Sequence, residues 1–180
     1  MNKNQFVNLC SRAWAIPALG LIAAGVPARV SPLASKAGAG RAAMASSVAH
    51  LVDMGLLRRN PGHGHPLRPE FQLTEEGRRI VEWAGGLQEL LDDEAARATA
   101  RLSWSLPVMG QSRRHHRFNE LAASLHPVTD RALAQSLSRL QNVGWLARSV
   151  EAEVRPPRVL YQPTLTGELI ADHCEMLLAS

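Results

Sequence analysis

The chain has few cysteines and no long apolar run, and each shortage argues against a class of protein. Two cysteines, Cys10 and Cys174, are too few for a disulfide framework and lack paired zinc spacing, so we expect small buried residues in helices. No stretch of about 18 apolar residues escapes interruption by Arg, Pro or Gly, which argues against a membrane span. The first residues also lack the pattern of a secretory signal. We therefore predict a cytoplasmic protein.

Motifs of enzymes and of metal sites are missing as well. The sequence has no nucleophile elbow, phosphate-binding loop or catalytic carboxylate pair, so we predict that the protein is not an enzyme and needs no cofactor. Its clustered histidines stand without a cysteine or carboxylate at matching spacing, and a basic loop accounts for them without a metal. These histidines are His63, His65, His115 and His116.

Lysine is nearly absent, and 18 of the 20 basic residues are arginine. The planar guanidinium group suits phosphates and guanine edges. A genome rich in G and C favours the same bias, so composition leaves both explanations open. Residues 1–90 carry ten basic against six acidic side chains and residues 91–180 carry ten against ten, so the net charge of +4 lies in the first half.

The chain contains an internal repeat with an offset of about 90 residues, a feature that decides the whole architecture. Three segments of the first half lie over segments of the second, the middle one after a one-residue slip. The pairs are residues 10–20 over 100–110, 50–58 over 139–148, and 68–80 over 158–170. The sequence therefore predicts two modules, residues 1–85 and 86–180, with their joint near the glycine pair at 85 and 86.

The second copy shows the order of its elements most clearly. Apolar residues at helical spacing predict a short helix, then a second helix that begins at a Thr129 cap and ends at Gly144. Two β segments, 145–150 and 159–162, enclose a loop rich in Pro and Arg, which predicts a hairpin. Thr164 can cap a final helix.

The first copy repeats this order, with Ser31 as the cap of its first short helix and a second helix over 41–54. Between the copies, periodicity breaks at 83–86 and resumes over 87–109 as one long amphipathic stretch. Helix, turn, helix, hairpin and helix is the order of a winged helix-turn-helix. We predict a mainly α protein with small β-hairpins, an α+β fold in which two winged helix-turn-helix modules form an internal pseudo-dimer about an approximate two-fold axis.

Two stretches of the second copy resemble the HxlR-type branch of the MarR-like winged-helix regulators. They are Arg117-Phe-Asn-Glu-Leu121 and Arg155-Pro-Pro-Arg-Val-Leu-Tyr161-Gln-Pro-Thr164-Leu-Thr-Gly167, joined by the predicted helix that ends at Gly144. Such regulators bind DNA, and their single modules pair as homodimers through terminal helices. The resemblance implies that this chain has fused two modules. The first copy departs from the pattern, with Val30-Ser-Pro-Leu33 in place of the first stretch.

A winged helix reads DNA with its second helix in the major groove, while the wing holds phosphates. The polar residues opposite the leucine stripe and in the wings are therefore the candidate DNA-binding set, and the alternative is a solvated face. In the second module they are Arg131, Gln135, Ser138, Arg139, Asn142, Arg155 and Arg158; in the first they are Ser46, His50, Arg58, Arg59 and Arg68. The weaker first set leaves open whether that module contacts DNA.

Trp14 and Trp104 occupy equivalent positions, three residues before Pro17 and Pro107. A proline inside a helix removes a backbone hydrogen bond, so we expect a kink at each. The two indoles could line a cavity for a small aromatic or apolar ligand, or be ordinary core residues. Our leading hypothesis is a repressor that reads an imperfect palindrome under control of such a ligand, with pairing of two chains as a further option. The alternative is a small-molecule-binding or sequestering protein on the same scaffold.

Overall fold

The computed structural model describes residues 1–61 and 69–179. The chain divides into two compact units, one of residues 12–89 and the other of residues 1–11 together with 90 onward. In chain order the elements are α1 (Lys3–Cys10), α2 (Ala15–Ala23), α3 (Val30–Ala37), α4 (Arg41–Asp53), β1 (Leu57–Arg59), β2 (Phe71–Leu73), α5 (Glu75–Leu90), α6 (Glu94–Ala100), α7 (Ser105–Met109), α8 (Phe118–Ser124), α9 (Asp130–Asn142), β3 (Leu146–Glu151), β4 (Arg158–Pro163) and α10 (Leu165–Ala179). Both sheets are two-stranded antiparallel hairpins. The predicted mainly α fold with small hairpins is confirmed.

Within the described residues, no single helix is long and apolar enough to cross a membrane. The pair α1 and α2 meets the criteria of length and composition together, but the two helices are strongly bent against each other.

In the unit of residues 12–89, α3 and α4 form a helix-turn-helix. Gly38 ends α3 with a φ of 64°, a left-handed conformation that glycine adopts without strain. Met44, Val48 and Leu51 recur at helical spacing and are buried, which fixes the inner face of α4. The predicted cap at Ser31 is wrong: α3 begins two residues after Ala28, and the residue at its start makes no side-chain cap bond.

In the other unit, α9 confirms its prediction at both ends. Thr129 Oγ1 accepts a hydrogen bond from Ala132 N at 3.2 Å, and Gly144 follows the helix with a φ of 70°. The three leucines of the inner stripe are fully buried, and they are Leu133, Leu137 and Leu140. The strands that follow pair from Leu146 opposite Pro163 to the tip of the hairpin. α9 therefore turns its remaining face outward.

The same junction joins the hairpin to the last helix in both units. Thr74 Oγ1 donates to Gly55 O at 2.7 Å and accepts from Gly77 N at 3.0 Å, and Thr164 Oγ1 accepts likewise from Gly167 N at 3.1 Å. A Cβ at either of these helix glycines would clash with a backbone carbonyl beneath it. Glycine is therefore required there by close approach of two backbones and not by an unusual φ.

The long helix predicted over 87–109 is wrong, because the chain breaks after Leu90 and again after Ala100. The glycine pair at 85 and 86 lies inside α5, where a Cβ on Gly85 would lie 3.2 Å from that of Ala23. The small residue therefore allows α5 to approach α2 closely, and it does not end the helix. Asp93 begins the next helix by accepting a hydrogen bond from Ala96 N at 2.7 Å.

The predicted kinks at Pro17 and Pro107 are also wrong. Each proline is the third residue of its helix, α2 or α7. In the first turn a backbone N–H has no acceptor within the helix, so proline there removes no helical hydrogen bond. Trp14 and Trp104 precede these helices as their N-cap residues.

α1 belongs to the unit of residues 90 onward, although it precedes the other unit in sequence. Its Phe6, Leu9 and Cys10 are buried, and the helix packs against α7. The observed units therefore differ from the predicted division at 85/86 in two respects. Residues 1–11 belong with residues 90 onward, and together they are called the second unit. The first unit consists of residues 12–89.

Replacing Phe6 by alanine is expected to destabilise the second unit. Phe6 is 1% exposed, and truncation of a buried phenylalanine costs about 3–5 kcal/mol. Because α1 packs with residues 90 onward, amide hydrogen-exchange protection should fall in α7 and be retained in α4. Lys3→Ala, at an exposed position of the same helix, is the control. Loss of protection confined to α4 would contradict this packing.

Candidate nucleic-acid interface

The outward face of α9 carries all five residues predicted to read DNA. Residues three and four apart share a helix face, so the buried leucine stripe leaves these positions outside. Each of the five side chains is exposed, and they are Arg131, Gln135, Ser138, Arg139 and Asn142. The helix thus brings together two guanidinium groups, two amides and a hydroxyl, the groups that hydrogen-bond base edges.

The arginines fall into two groups according to whether a side chain of the protein already holds the guanidinium group. Ion pairs join Arg29–Glu70, Arg79–Glu76, Arg101–Glu94, Arg113–Asp172, Arg114–Glu175 and Arg117–Glu120. In the part of the chain that the structure describes, no such pair holds the arginines of α9 or its hairpin, which are Arg131, Arg139, Arg148, Arg155 and Arg158. An unpaired guanidinium can bind phosphate without first losing a partner. Elsewhere in the described residues Arg12, Arg41, Arg59, Arg78 and Arg97 likewise form no ion pair, so the arginines of α9 and its hairpin are available to DNA but are not alone in this.

The hairpin of β3 and β4 presents three of these unpaired arginines. Arg155 lies in the connecting loop, and Arg158 opens β4 directly opposite Glu151, whose charge offsets part of its own. Arg148 lies on β3 and was missed by the sequence prediction. The signal that could have found it is the alternation of side chains along a strand. Arg148 lies two residues after the buried Leu146, and therefore on the same face of β3.

The arginine-rich turn before α8 has a structural role. Arg113 pairs with Asp172 and Arg114 with Glu175 at 3.3 Å, so the turn is tied to α10. Glu120 accepts hydrogen bonds from the backbone amides of Arg117 at 3.1 Å and of the residue before it at 3.2 Å. The amide of Arg117 in particular holds the pKa of this carboxyl below its usual value. The three arginines of this turn therefore form ion pairs within the protein.

The predicted DNA-binding residues of the first module are placed less favourably. Ser46 is exposed on α4, but His50 is half-buried. Arg58 and Arg59 are both exposed on β1, yet Arg58 Nη2 donates to Gln72 Oε1 at 3.3 Å. Arg68, like His63 and His65, lies outside the described residues. This module therefore offers a hydroxyl and one unengaged strand arginine in place of a full reading face.

The predicted ligand residues do not line the cleft that the second unit forms beside its hairpin. Trp14 and Trp104 are both half-buried. The cleft, of about 340 Å³, is lined by polar and charged side chains together with one proline, and its residues are Arg113, His116, Gln162, Pro163 and Glu168. Among the described residues, no group of three or more metal-binding side chains comes together.

The two cysteines are buried, as predicted. Cys10 is 4% exposed and Cys174 is 0% exposed, and neither forms a disulfide. Burial raises the pKa of both thiols well above its usual value. Both are therefore protonated at neutral pH, which is the unreactive state of a thiol.

A helix-turn-helix followed by an antiparallel hairpin and a helix, with polar side chains along the outside of its second helix, is a winged helix-turn-helix, a fold that binds DNA. In a comparison with protein-family models, residues 103–179 match the HxlR-like helix-turn-helix family. This match confirms the resemblance for the second module, and the family suggests a DNA-binding transcriptional regulator. Searches of the curated proteins and of the solved structures found no match.

Proposed function

We propose that the protein is a repressor whose two modules contribute unequally to DNA recognition. The observation that carries this proposal is the contrast between the outward faces of α9 and α4. α9 exposes Arg131, Gln135 and Arg139, whereas the exposed positions of α4 include Ala42 and Ser46. Small side chains permit close approach to a groove but offer no bidentate contact to a base.

The chemistry of α9 suggests which bases it reads. An arginine can donate two hydrogen bonds to guanine O6 and N7, and a glutamine can pair with adenine N6 and N7. We assign these roles to Arg131 and Gln135. Arg139 is free to bind either guanine or phosphate, while Ser138 and Asn142 supply further polar contacts. Each good bidentate pair discriminates against a wrong base by about 1–3 kcal/mol.

The internal repeat of the chain suggests the symmetry and the spacing of the operator half-sites. Two helix-turn-helix modules related by an approximate two-fold axis would meet inverted half-sites about one helical turn apart. Because α9 and α4 present different side chains, the best site should be an imperfect palindrome. Bound across a promoter, such a protein excludes the polymerase, which is why we propose repression. Two chains could pair in addition, and α10 supports this by exposing Leu165, Leu169 and Met176.

An electrophoretic mobility shift with the DNA flanking the protein's own gene tests this function. We expect a complex at lower protein concentration than with a scrambled duplex of the same composition, since base contacts add to the phosphate contacts that any duplex offers. Equal affinity for the two duplexes would overturn the proposal of sequence reading.

We also propose that a small aromatic or apolar ligand binds beside Trp14 or Trp104, whose partial exposure leaves the indoles within reach of solvent. Such a ligand should quench their fluorescence, while the buried Trp83 and Trp145 respond little. Substitution of Trp14 and Trp104 by phenylalanine should remove the response. By linkage, a ligand that weakens DNA binding must itself be weakened by DNA to the same extent. Quenching by a ligand in a protein that binds no DNA would favour the alternative, a sequestering protein.

A further inference from the structure

The two hairpins place an arginine opposite an aromatic residue in the same way. Arg59 pairs with Phe71 across β1 and β2, and Arg148 pairs with Tyr161 across β3 and β4. Each aromatic residue also donates its backbone N–H to a carbonyl just before the first helix of the motif, Phe71 to Ala28 O at 2.9 Å and Tyr161 to the equivalent loop at 2.8 Å. Overlay of the sequences set Arg58 against Arg148, but the strand register makes Arg59 the counterpart.

A one-residue difference in a strand decides which face a side chain occupies. Leu57 is buried at the start of β1, and Arg59 lies two residues later on the same face. Leu146 and Arg148 have the same relation on β3. β1 packs against α4 and β3 packs against α9, so this face is the one turned toward the second helix of each motif.

The opposite face of each strand is different in character. Arg58 lies there in the first unit, and its guanidinium group donates to Gln72 Oε1. Ala147 occupies the corresponding position in the second unit, opposite Gln162. In the described residues, neither Arg59 nor Arg148 is held by an ion pair or by a side-chain hydrogen bond. The helix-facing side of each hairpin thus keeps one exposed, unengaged positive charge.

We propose that Arg59 and Arg148 are equivalent contacts to the phosphates of duplex DNA, one in each module. The inference rests on the proposed function and deepens it. The first module then holds the DNA backbone through the same position as the second, although Ala42 and Ser46 stand on α4 where α9 has Arg131 and Gln135. The first module thus mainly binds the phosphates of the DNA backbone. The second module makes the same phosphate contact and also reads bases.

Phosphate contacts have a measurable signature. Each phosphate neutralised by an arginine releases condensed counterions, so the logarithm of the binding constant falls against the logarithm of salt with a slope of about −0.9 per contact. The effect does not depend on sequence, so it can be measured on any duplex. Arg59→Ala and Arg148→Ala should each flatten the slope by about 0.9, and the double variant by about 1.8, on specific and scrambled DNA alike.

Two matched variants separate position from net charge. Arg58→Ala removes the same charge from the adjacent residue of the same strand and should flatten the slope less than Arg59→Ala does, because the Arg58 guanidinium group already donates to Gln72 Oε1. Arg148→Ala combined with Ala147→Arg moves the charge by one residue to the opposite face at constant net charge, and it should not restore the slope. All these positions are exposed, so thermal melting should be unaffected in every variant.

Fluorescence anisotropy tests whether Arg59 and Arg148 contact phosphates. The full chain is titrated onto a labelled duplex at several salt concentrations. Equal effects of Arg58→Ala and Arg59→Ala, or full rescue by the shifted arginine, would overturn the assignment and leave only a general charge effect. If the wild-type protein binds with a steep slope that Arg148→Ala leaves intact, the inference fails but the proposed function stands. If the wild-type protein shows no salt-dependent binding to any duplex, the proposed function itself fails.

Discussion

Replacing Gly167 by alanine is expected to disrupt the second module. The new Cβ would collide with the backbone oxygen of Trp145, and a backbone atom cannot rotate away as a side chain can. Overpacking of this kind costs about 1–3 kcal/mol and occasionally more. The collision would displace β3 from α10 and expose Trp145, which is 2% exposed in the intact module. A domain of marginal stability loses a large part of its folding free energy in this way.

Hydrogen exchange of the full chain measures this effect unit by unit. Thr166→Ala, at the exposed residue one position earlier, is the control and should change little. Gly77→Ala should produce the same loss in the unit of residues 12–89, because its Cβ would meet the backbone oxygen of Leu56. Unchanged protection of α10 in Gly167→Ala would contradict the close approach of the two backbones.

Replacing Gln135 or Arg131 by alanine is expected to cost about 1–3 kcal/mol on the preferred operator and to relax base preference in one half-site only. Both side chains lie exposed on α9, so their loss should leave the fold intact. Ser46→Ala in the first module is the matched change and should cost much less, because a hydroxyl makes no bidentate base contact.

Affinity for scrambled DNA distinguishes side chains that contact bases from side chains that contact phosphates. Gln135 is neutral, so Gln135→Ala should weaken binding to the operator while affinity for a scrambled duplex and the salt slope remain as in the wild type. Equal losses from Ser46→Ala and Gln135→Ala on the operator would refute the asymmetry of the modules. Specific binding that survives loss of both Arg131 and Gln135 would refute the choice of α9 as the reading helix.

The features that sequence predicted well are those encoded locally. α9 is set by a threonine cap, a leucine stripe and a left-handed Gly144, all within its own residues. Its outward face could be derived for the same reason, since helical period alone assigns every residue to a side. The hairpin and the Thr164 cap likewise depend on neighbours close in sequence.

The features that sequence missed depend on contacts between distant residues. Gly85 looked like a break, but it serves the close packing of α5 against α2, which only the folded unit reveals. α1 packs with residues 90 onward, a choice of partner that no local pattern encodes. The overlay of the two sequence copies matched Arg148 with Arg58 instead of Arg59. The overlay needed a one-residue shift between the copies, and only the pairing of the strands shows where that shift lies.

Selection of bound sequences from a pool of random duplexes measures how strongly each of the two modules reads bases. If the second module reads bases more strongly than the first, the selected sequences should show one half-site with strongly preferred bases. The other, inverted half-site, about one helical turn away, should show only weak base preferences yet be protected in a hydroxyl-radical footprint. Two half-sites with equally strong base preferences, or enrichment of no sequence at all, would show that the two modules do not differ in base reading as proposed.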